Sequence, residues 1–416
     1  MNKGLARRRV GALALAGLVG AGVFVGVTVG VDAPAVAAED FYTPPVSLPG
    51  GRNGDVIKTG PSGFSGGKAT RVMYLSRDTK DKAIPVTGTV IVPNTPWAGP
   101  GPRPIVAYAP FTAGMGDQCA VSKVLAGDTS SDVVGSVQTQ FINPLLQKGF
   151  AVAQTDYEGL GVPGMEHTYV MRRSEAHTTL DVVRAAQRLP ELGLSTDAPV
   201  GIVGYSQGGG AAAAAVELAP EYAPELNIKG AYAGAPPADK AVLGKSLDGA
   251  YAAGFLGFAL IGINTAYPEA KMMDLANPTG AQLFVQASKM CTTDAIFQLA
   301  FKQTSTLTKD GKPVSAYMQQ EPFKSVVEDL RIGNRKPAAP VLVEHAGSDD
   351  IVPFGQGKQM AKDWCAKGAT VQFTELTALP IFAHATAAFG ASGSAANWIA
   401  GRLTGSAPAT GNCGRF

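Results

Sequence analysis

The sequence predicts an α/β fold in which a mostly parallel sheet is covered by helices on both faces. Three short apolar runs, 103–110, 149–156 and 198–205, have the length and the flanking turn residues of buried strands. Between the second and third lies 174–189, whose apolar residues recur at helical spacing. Strands that alternate with helices in this way form parallel sheets that are covered on both faces. With 45% apolar residues in 416, the chain can build a sizeable core.

The other predicted elements continue this alternation. An apolar β-hairpin precedes the first buried strand, and an alanine-rich helix follows the third. The segments are a hairpin at 70–76 and 85–93, a helix at 207–218, strands at 227–236, 339–347 and 370–376, and a last helix at 385–403.

One interval, 238–337, breaks the alternation. It is mostly helical in pattern and far longer than the usual connection of about 4–6 residues, so we predict an inserted helical cap. The cap divides the predicted core into a first part, 67–237, and a second part, 338–416. Residues 38–66 are rich in Pro and Gly, and we expect them to form an extended arm that wraps the surface.

The first 37 residues have the pattern of an export signal. A basic start that includes Lys3 and 7–9 is followed by an uncharged apolar run, 10–31, and then by the small-residue site Ala35-Val36-Ala37. We therefore predict a signal peptide, 1–37, with cleavage near Ala37, and a secreted protein. The apolar run is also long enough to span a bilayer, so an uncleaved membrane anchor stays open as the alternative.

Charge and cysteine content narrow the function classes. Loss of 1–37 leaves 31 basic against 32 acidic side chains and no polybasic run, which argues against nucleic acid as a partner. The four cysteines show no C-x-x-C spacing, so we expect no metal site and no cofactor. An even number in an exported chain favours two disulfides, with three pairings open. These cysteines are Cys119, Cys291, Cys365 and Cys413.

Two serines match the pattern G-x-S-x-G, and only one has the right context. A nucleophile elbow places its serine on a tight turn between a buried strand and a helix. Ser206 lies between the predicted strand 198–205 and the predicted helix 207–218, whereas Ser65 lies in the Pro/Gly-rich arm. The stretch around Ser206, "GYSQGGG", lacks the pattern G-x-G-x-x-G, so it is not a phosphate-binding turn. We predict Ser206 as the nucleophile of an α/β-hydrolase fold.

A serine nucleophile needs a base, and the base needs an orienting acid. In the α/β-hydrolase fold the chain order is serine, acid, histidine. Of the four histidines, His167 and His177 precede Ser206, and His345 lies on the strand expected to deliver the acid. His384 is therefore predicted as the base, in the loop between the last strand and the last helix.

The acid is expected directly after the strand 339–347. The sequence "HAGSDDIVPF" offers Asp349 and Asp350. We favour Asp349, because it is followed by x-x-Val-Pro, a common setting for the acid in hydrolases of this fold. Asp350 remains the alternative acid or a turn residue before the next helix.

The oxyanion hole requires two preorganised N–H donors. One is the backbone of Gln207, the residue after the nucleophile. The other is expected from the loop after the strand 103–110, "PFTAGMGDQCA", where we favour Ala113, with Thr112 and Gly114 as alternatives.

With these residues in place, the chain resembles the secretory lipase family, the yeast lipase A-like enzymes of the α/β-hydrolase superfamily. The resemblance covers nearly the whole mature chain. It rests on "FYTPPVSLPGGRNGDVI", "GMGDQCA", "TDYEGLG", "GYSQGGG", "AYAPELNIKGAYAGAPP", "HAGSDDIVPF", "WCAKGATVQF" and the terminal "NWIAGRL" and "GNCG".

The resemblance implies an exported acyl-ester hydrolase with a helical cap over its site. It supports Ser206, Asp349 and His384 as a catalytic triad. It also implies two disulfides, Cys119–Cys291 and Cys365–Cys413.

We therefore predict a secreted lipase or carboxylesterase that acts on triacylglycerol-type lipids or other acyl esters through an acyl-enzyme. The apolar cap stretch 247–270 suggests an acyl-binding tunnel and a lid that contacts a lipid–water interface; the alternative is a helix packed on the core. Two alternatives remain at this point: an acyltransferase with the same triad, and a non-catalytic secreted binding protein on a hydrolase scaffold. The sequence leaves the oligomeric state open.

Overall fold

The computed structural model describes residues 40–128 and 133–416. The predicted signal peptide, 1–37, lies outside these described residues. Within them, none of the helices has the length and apolar character needed to cross a membrane. Nine strands occur in the described chain. They are β1 (Val56–Pro61), β2 (Lys68–Arg77), β3 (Ala83–Val92), β4 (Ile105–Ala109), β5 (Ala151–Thr155), β6 (Val200–Tyr205), β7 (Ile228–Gly234), β8 (Val341–Ala346) and β9 (Val371–Leu376).

Thirteen α-helices connect and cover these strands in the same described ranges. They are α1 (Val121–Ala126), α2 (Val133–Val137), α3 (Thr139–Gln147), α4 (Arg172–Gln187), α5 (Gln207–Tyr222), α6 (Lys240–Leu247), α7 (Ala253–Ala266), α8 (Pro278–Ala287), α9 (Thr292–Gln298), α10 (Val314–Tyr317), α11 (Phe323–Asp329), α12 (Phe354–Ala366) and α13 (Ala383–Leu403).

All nine strands form one mixed sheet in the order β1-β2-β3-β5-β4-β6-β7-β8-β9. The first part, β1 to β3, is antiparallel, and β3 also pairs antiparallel with β5. From β5 to β9 all pairs are parallel. The carboxyl ends of these parallel strands therefore meet at one edge of the sheet, which is where ligands bind in open α/β sheets.

Side chains of the central strands alternate between two apolar cores, as the pleat of a strand requires. In β6, Val200 and Ile202 join the core beneath α4, α5 and α12, while Val203 and Tyr205 join the core beneath α1, α3 and α13. The sheet is thus covered on both faces. This arrangement confirms the predicted α/β class, a mostly parallel sheet with helices on both faces.

The interval that we predicted as a cap has its own apolar cluster. It runs between β7 and β8 and carries α6 to α11. Phe258, Ile261 and Leu330 are among its most buried members. The cluster also includes Val170 and Ile351, which lie outside the interval. These contacts place the helices of 238–337 beside the carboxyl edge of the sheet.

Two segments differ from the prediction. The predicted arm, 38–66, contains β1, which pairs with β2 at the edge of the sheet. An edge strand that is only half-buried lacks the continuous apolar run of a central strand, so the pattern was missed. The helices α1 to α3 were also missed, since each is short and α3 contains Pro144. Ser65 lies in an exposed turn between β1 and β2.

Both disulfides implied by the resemblance are present. Cys119–Cys291 ties the segment after β4 to the start of α9. Cys365–Cys413 ties the end of α12 to the C-terminal segment, where Asn412 hydrogen-bonds to both backbone groups of Phe373 in β9. The second disulfide therefore holds the chain end against the outermost parallel strand.

We expect the double substitution Cys365→Ser and Cys413→Ser to lower the free energy of unfolding by about 4 kcal/mol, because a loop of 48 residues would no longer be closed in the unfolded chain. Urea denaturation followed by circular dichroism measures this change. Ester hydrolysis at 25 °C should stay within twofold of wild type. An unchanged urea midpoint would show that this bond does not stabilise the fold.

Candidate active site

The turn between β6 and α5 places Ser206 in a backbone conformation that side chains rarely adopt. Its φ is 58° and its ψ is −123°. A Cβ atom at Gly204 would lie 2.0 Å from the carbonyl oxygen of Gly208, and a Cβ at Gly208 would lie 2.0 Å from that of Ala109. Only glycine fits either position, since real Cβ atoms do not approach a carbonyl so closely. The Ser206 hydroxyl is thereby lifted above the carboxyl edge of the sheet.

His384 connects Ser206 to an acid. Its Nε2 lies 2.8 Å from Ser206 Oγ, and its Nδ1 lies 2.7 Å from Asp349 Oδ2. Because an ionised carboxylate only accepts hydrogen bonds, Nδ1 carries the ring proton and Nε2 is free to accept the serine proton. The structure therefore brings together the three residues that the sequence predicts as nucleophile, base and acid.

The backbone of His384 is anchored on both sides. Its N–H donates to Asp350 Oδ1 at 2.9 Å, and its carbonyl oxygen accepts from the hydroxyl of Tyr205 at 2.7 Å. His384 is the second residue of α13, so its predicted placement in the preceding loop is wrong. The helix begins two residues earlier than the sequence pattern suggests, directly after Phe382, whose φ is 54°.

Asp349 has the surroundings of a permanently ionised carboxylate. Its Oδ1 accepts the backbone N–H groups of Ile351 at 3.0 Å and Val352 at 2.8 Å. Burial raises the pKa of Asp349, but His384 and His345 outweigh that effect and hold the pKa well below its usual range. Asp350 is exposed to solvent, and its Oδ1 accepts the backbone N–H of His384.

His345 supports the acid from β8. It is fully buried, and its Nε2 lies 2.9 Å from the carbonyl oxygen of Val352 and 3.3 Å from Asp349 Oδ2. A carbonyl oxygen only accepts, so Nε2 carries a proton that also faces the carboxylate. His345 thus lies on the strand that the sequence predicts to deliver the acid, and it contacts Asp349 rather than Ser206.

One candidate oxyanion donor begins α5. Gln207 is the first residue of that helix, so no carbonyl within the helix accepts its N–H. The partial positive charge at a helix N-terminus adds to the attraction for a developing negative charge. Its side chain is buried behind the serine, which leaves the backbone amide as the group next to Ser206.

The loop after β4 is tied down on one side. The carbonyl oxygens of Thr112 and Ala113 accept hydrogen bonds from the hydroxyl and the N–H of Thr292, at 2.7 and 3.0 Å. In a trans peptide the C=O and N–H point in opposite directions. The N–H groups of Ala113 and Gly114 therefore point away from Thr292. Among the three sequence candidates, the side chain of Thr112 lines the pocket at Ser206.

Two further residues hold this loop and were missed by the sequence reasoning. Gln138 donates from its amide to the carbonyl oxygen of Phe111 at 2.8 Å and accepts from the N–H of Phe111 at 3.3 Å. Tyr169 shares a hydrogen bond of 2.7 Å between its hydroxyl and that of Thr112. Neither residue belongs to a motif, and each reaches the loop only through tertiary packing.

The pocket above Ser206 has a volume of ≈ 280 Å³ and a mainly apolar wall. Helices α2, α3, α7, α9 and α13 all contribute to it. Its lining residues are Phe111, Thr112, Val134, Val137, Gln140, Tyr205, Ser206, Phe255, Thr292, Ile296, Ile351, His384, Ala385, Ala388 and Phe389. Such a wall suits an acyl chain or another apolar group bound next to a polar reacting centre.

Comparison with known proteins identifies the family. The model of the family described as secretory lipase matches residues 127–411 of this chain. The chain belongs to the secretory lipase family. It is a lipase or esterase of the serine ester hydrolase class.

Relatives of this secretory lipase include fungal enzymes. The secreted triacylglycerol lipase LIP4 of Malassezia globosa is 30% identical over 346 residues, which cover 81% of this chain and 73% of the relative. Lipase 2 of Candida albicans is 28% identical over 398 residues, 90% of this chain and 82% of the relative. A Mycobacterium tuberculosis protein named probable inactive lipase MT1628 is 28% identical over 355 residues, 82% of this chain and 77% of that protein.

Solved structures resemble this secretory lipase over most of its length. Candida antarctica lipase A in its closed state superimposes with a TM-score of 0.78 and 25% identity, covering 92% of this chain and 89% of that one. The rice cell wall degrading esterase LipA of Xanthomonas oryzae has a TM-score of 0.70 at 17% identity, covering 84% and 99%. The second likeness shows the fold alone.

The two neighbouring aspartates allow a matched test. We expect Asp349→Asn to lower kcat/KM for a soluble ester about 10³- to 10⁴-fold, because the amide would favour the wrong tautomer of His384. Asp350→Asn keeps an acceptor oxygen for the His384 N–H and should lower it less than tenfold. Steady-state kinetics with p-nitrophenyl butyrate measures both. A larger loss in Asp350→Asn would transfer the acid role to Asp350.

Proposed function

We propose that this chain is a secreted lipase that hydrolyses acyl esters through a Ser206–His384–Asp349 triad and an acyl-enzyme. The single observation that supports the proposal most is the unbroken hydrogen-bond chain from Ser206 Oγ to Asp349 Oδ2 through both nitrogens of His384. The geometry meets the distance requirement for proton transfer between a nucleophile and its base.

In the first half of the proposed reaction, His384 Nε2 takes the proton of Ser206 as Oγ attacks the ester carbonyl carbon. The N–H groups of Gln207 and Ala113 stabilise the negative oxygen of the tetrahedral intermediate. Asp349 stabilises the imidazolium and does not itself take up the proton. When the intermediate collapses, the C–O bond to the alcohol breaks and His384 returns the proton to the departing oxygen.

In the second half, water replaces the alcohol. His384 takes a proton from the water molecule, and the oxygen of that water attacks the acyl-enzyme carbonyl carbon. The second intermediate collapses with transfer of that proton to Ser206 Oγ, which releases the carboxylic acid and restores the enzyme. The complete triad supports hydrolysis over a purely binding role, even though one relative carries the name probable inactive lipase.

Triacylglycerol-type lipids are the proposed substrates. Relatives such as LIP4 of Malassezia globosa are named secreted triacylglycerol lipases. The apolar wall of the pocket at Ser206 is consistent with an acyl chain. The names of these relatives also support secretion of this chain, in line with the predicted leader 1–37.

We place the proposed lipid contact at the mouth of the pocket, around the start of α13. Leu379, Ile381, Phe382 and Phe389 are 64%, 68%, 56% and 66% exposed, and Phe389 also lines the pocket. No Asp, Glu, Lys or Arg occurs between Glu375 and Arg402. An exposed apolar surface at a pocket entrance is the kind of patch that marks an interaction site.

Active-site labelling tests the nucleophile. We expect a fluorophosphonate probe to label the wild type and Ser65→Ala equally, and to leave Ser206→Ala unlabelled, because Ser206 hydrogen-bonds to His384 whereas Ser65 lies in an exposed turn. Mass spectrometry of the labelled peptide and hydrolysis of p-nitrophenyl butyrate provide the readouts. Labelling of a folded Ser206→Ala variant at the wild-type rate would overturn the elbow assignment.

The lipid contact has a separate test. We expect the double substitution Leu379→Ser and Ile381→Ser to slow hydrolysis of emulsified tributyrin at least tenfold, since one large apolar side chain contributes about 1.5–3 kcal/mol when it is fully buried. Hydrolysis of monomeric p-nitrophenyl acetate should change less than twofold, because neither residue lines the pocket.

Phe301→Ser serves as the control, since Phe301 is 70% exposed in the predicted cap interval and does not line the pocket either. It should keep wild-type rates on both substrates. A selective loss of emulsion activity in Phe301→Ser would instead place the contact on the cap, as the sequence predicted. Equal losses on both substrates in the double variant would show damage to the site rather than to lipid contact.

A further inference from the structure

A buried polar cluster lies directly behind the nucleophile and has no part in the triad. The side chain of Gln207 points into it and is 2% exposed. Its Nε2 donates to Glu175 Oε1 at 2.8 Å and lies 3.3 Å from Nε2 of His167. The backbone N–H of Gln207 is a proposed oxyanion donor. The cluster therefore hydrogen-bonds to the side chain of a residue whose backbone faces the reaction centre.

The protonation of His167 follows from its other nitrogen. Nδ1 lies 2.7 Å from the carbonyl oxygen of Glu158, which only accepts, so Nδ1 carries the proton. Burial lowers the pKa of His167 to about 4, so the ring is neutral at pH 7 and Nε2 is an acceptor. The two hydrogens of the Gln207 amide therefore have two acceptors, Glu175 and His167. These two hydrogen bonds fix the orientation of the Gln207 side-chain amide.

Glu175 is the centre of the cluster. It belongs to the first turn of α4, and its Oε1 also accepts the N–H of Val170 at 3.0 Å. It is 2% exposed, and burial raises its pKa to about 7 although the Gln207 amide and the positive charge of Lys240 lower it. Burying a carboxylate is unfavourable unless its hydrogen bonds and a countercharge compensate.

The segment next to Val170 reaches the second side of the oxyanion hole. Tyr169 shares its hydroxyl hydrogen bond with Thr112, in the loop that carries Ala113. Val170 has a φ of 58°, which is unfavourable for a β-branched residue and persists only where surrounding contacts enforce it. The hydrogen bond from Val170 N–H to Glu175 is one such contact. Glu175 thus bonds to Gln207, which carries one proposed oxyanion donor. It also bonds to Val170, the neighbour of Tyr169, and Tyr169 holds the loop that carries the other donor.

We propose that Glu175 is a positioning residue of the oxyanion hole. It orients Gln207 directly and the loop at Thr112 through Val170 and Tyr169. The inference rests on the proposed function, since it assigns a role in stabilising the oxyanion. It does not assign Glu175 any contact with substrate. Its removal should weaken binding of the transition state and leave binding of the ester ground state unchanged.

The test compares Glu175→Gln, Gln207→Met and the double variant. We expect each single substitution to lower kcat for p-nitrophenyl butyrate about tenfold with KM within twofold of wild type. The affinity for an alkylboronic acid, which forms a tetrahedral adduct with a serine, should fall by the same factor as kcat. The double variant should also lose about tenfold and not a hundredfold, because both changes break the same link.

Glu217→Gln is the matched control. Glu217 is also 2% exposed in the same layer, but it accepts from the indole N–H of Trp364 at 2.7 Å and the N–H of Gly333 at 2.8 Å, away from the site. We expect it to lower the melting temperature and to keep kcat within twofold. A comparable loss of kcat in Glu217→Gln would show that removing any buried carboxylate from this layer impairs catalysis. That result would overturn the role of Glu175 in positioning the oxyanion hole.

Three other results would overturn the inference: wild-type kcat in Glu175→Gln, a rise in KM in place of a fall in kcat, or losses that multiply to about a hundredfold in the double variant. If Glu175→Gln does not fold, the kcat of Gln207→Met tests the inference by itself. That variant keeps the carboxylate of Glu175 and removes the hydrogen bond between Gln207 and Glu175. Wild-type kcat in Glu175→Gln beside an inactive, folded Ser206→Ala would reject only this inference. An active Ser206→Ala would reject the proposed function itself.

Discussion

The close approach of α5 to the sheet is the constraint on which the rest of the site depends. Two successive glycines make it possible. A Cβ at Gly208 would lie 2.0 Å from the carbonyl oxygen of Ala109 in β4, and a Cβ at Gly209 would lie 2.0 Å from that of Gly234 in β7. The first turn of α5 therefore rests on two strands at once. The turn at Ser206 therefore cannot shift without moving these strands, which fixes the backbone of Ser206 and Gln207 relative to the sheet.

Two buried carboxylates lie on opposite sides of this turn, and their surroundings give them opposite properties. Asp349 receives two backbone N–H groups and two histidines, which lower its pKa against the effect of burial. Glu175 receives one backbone N–H and one neutral amide, and burial raises its pKa. At Glu175 burial outweighs the Gln207 amide and the charge of Lys240, whereas at Asp349 the two histidines outweigh burial. In the proposed reaction Asp349 stabilises the imidazolium of His384, whereas Glu175 takes part only in buried hydrogen bonds.

The parts of the molecule that could be predicted from the sequence are those with a local pattern. The fold class followed from alternating strands and helices, and Ser206 was separated from Ser65 by its strand and helix alone. His384 emerged because chain order excluded the other histidines. The strand β1 and the contacts of Gln138 and Glu175 could not be predicted in this way. An edge strand has no continuous apolar run, and a hydrogen bond between residues 27 or 32 positions apart leaves no periodic trace.

The loop after β4 also links the reaction centre to the interval 238–337. Thr292 at the start of α9 donates to two carbonyl oxygens of the loop, Met115 N–H donates to the carbonyl oxygen of Met290, and Cys119–Cys291 adds a covalent bond. Residues of α9 also line the pocket, through Thr292 and Ile296. In the proposed reaction, a displacement of α9 by a bulky acyl chain would therefore act on the carbonyl oxygen of Thr112, whose peptide carries the proposed donor, the Ala113 N–H. The proposed function thus predicts that substrate shape affects transition-state stabilisation, because Thr292 both lines the pocket and bonds to the loop after β4.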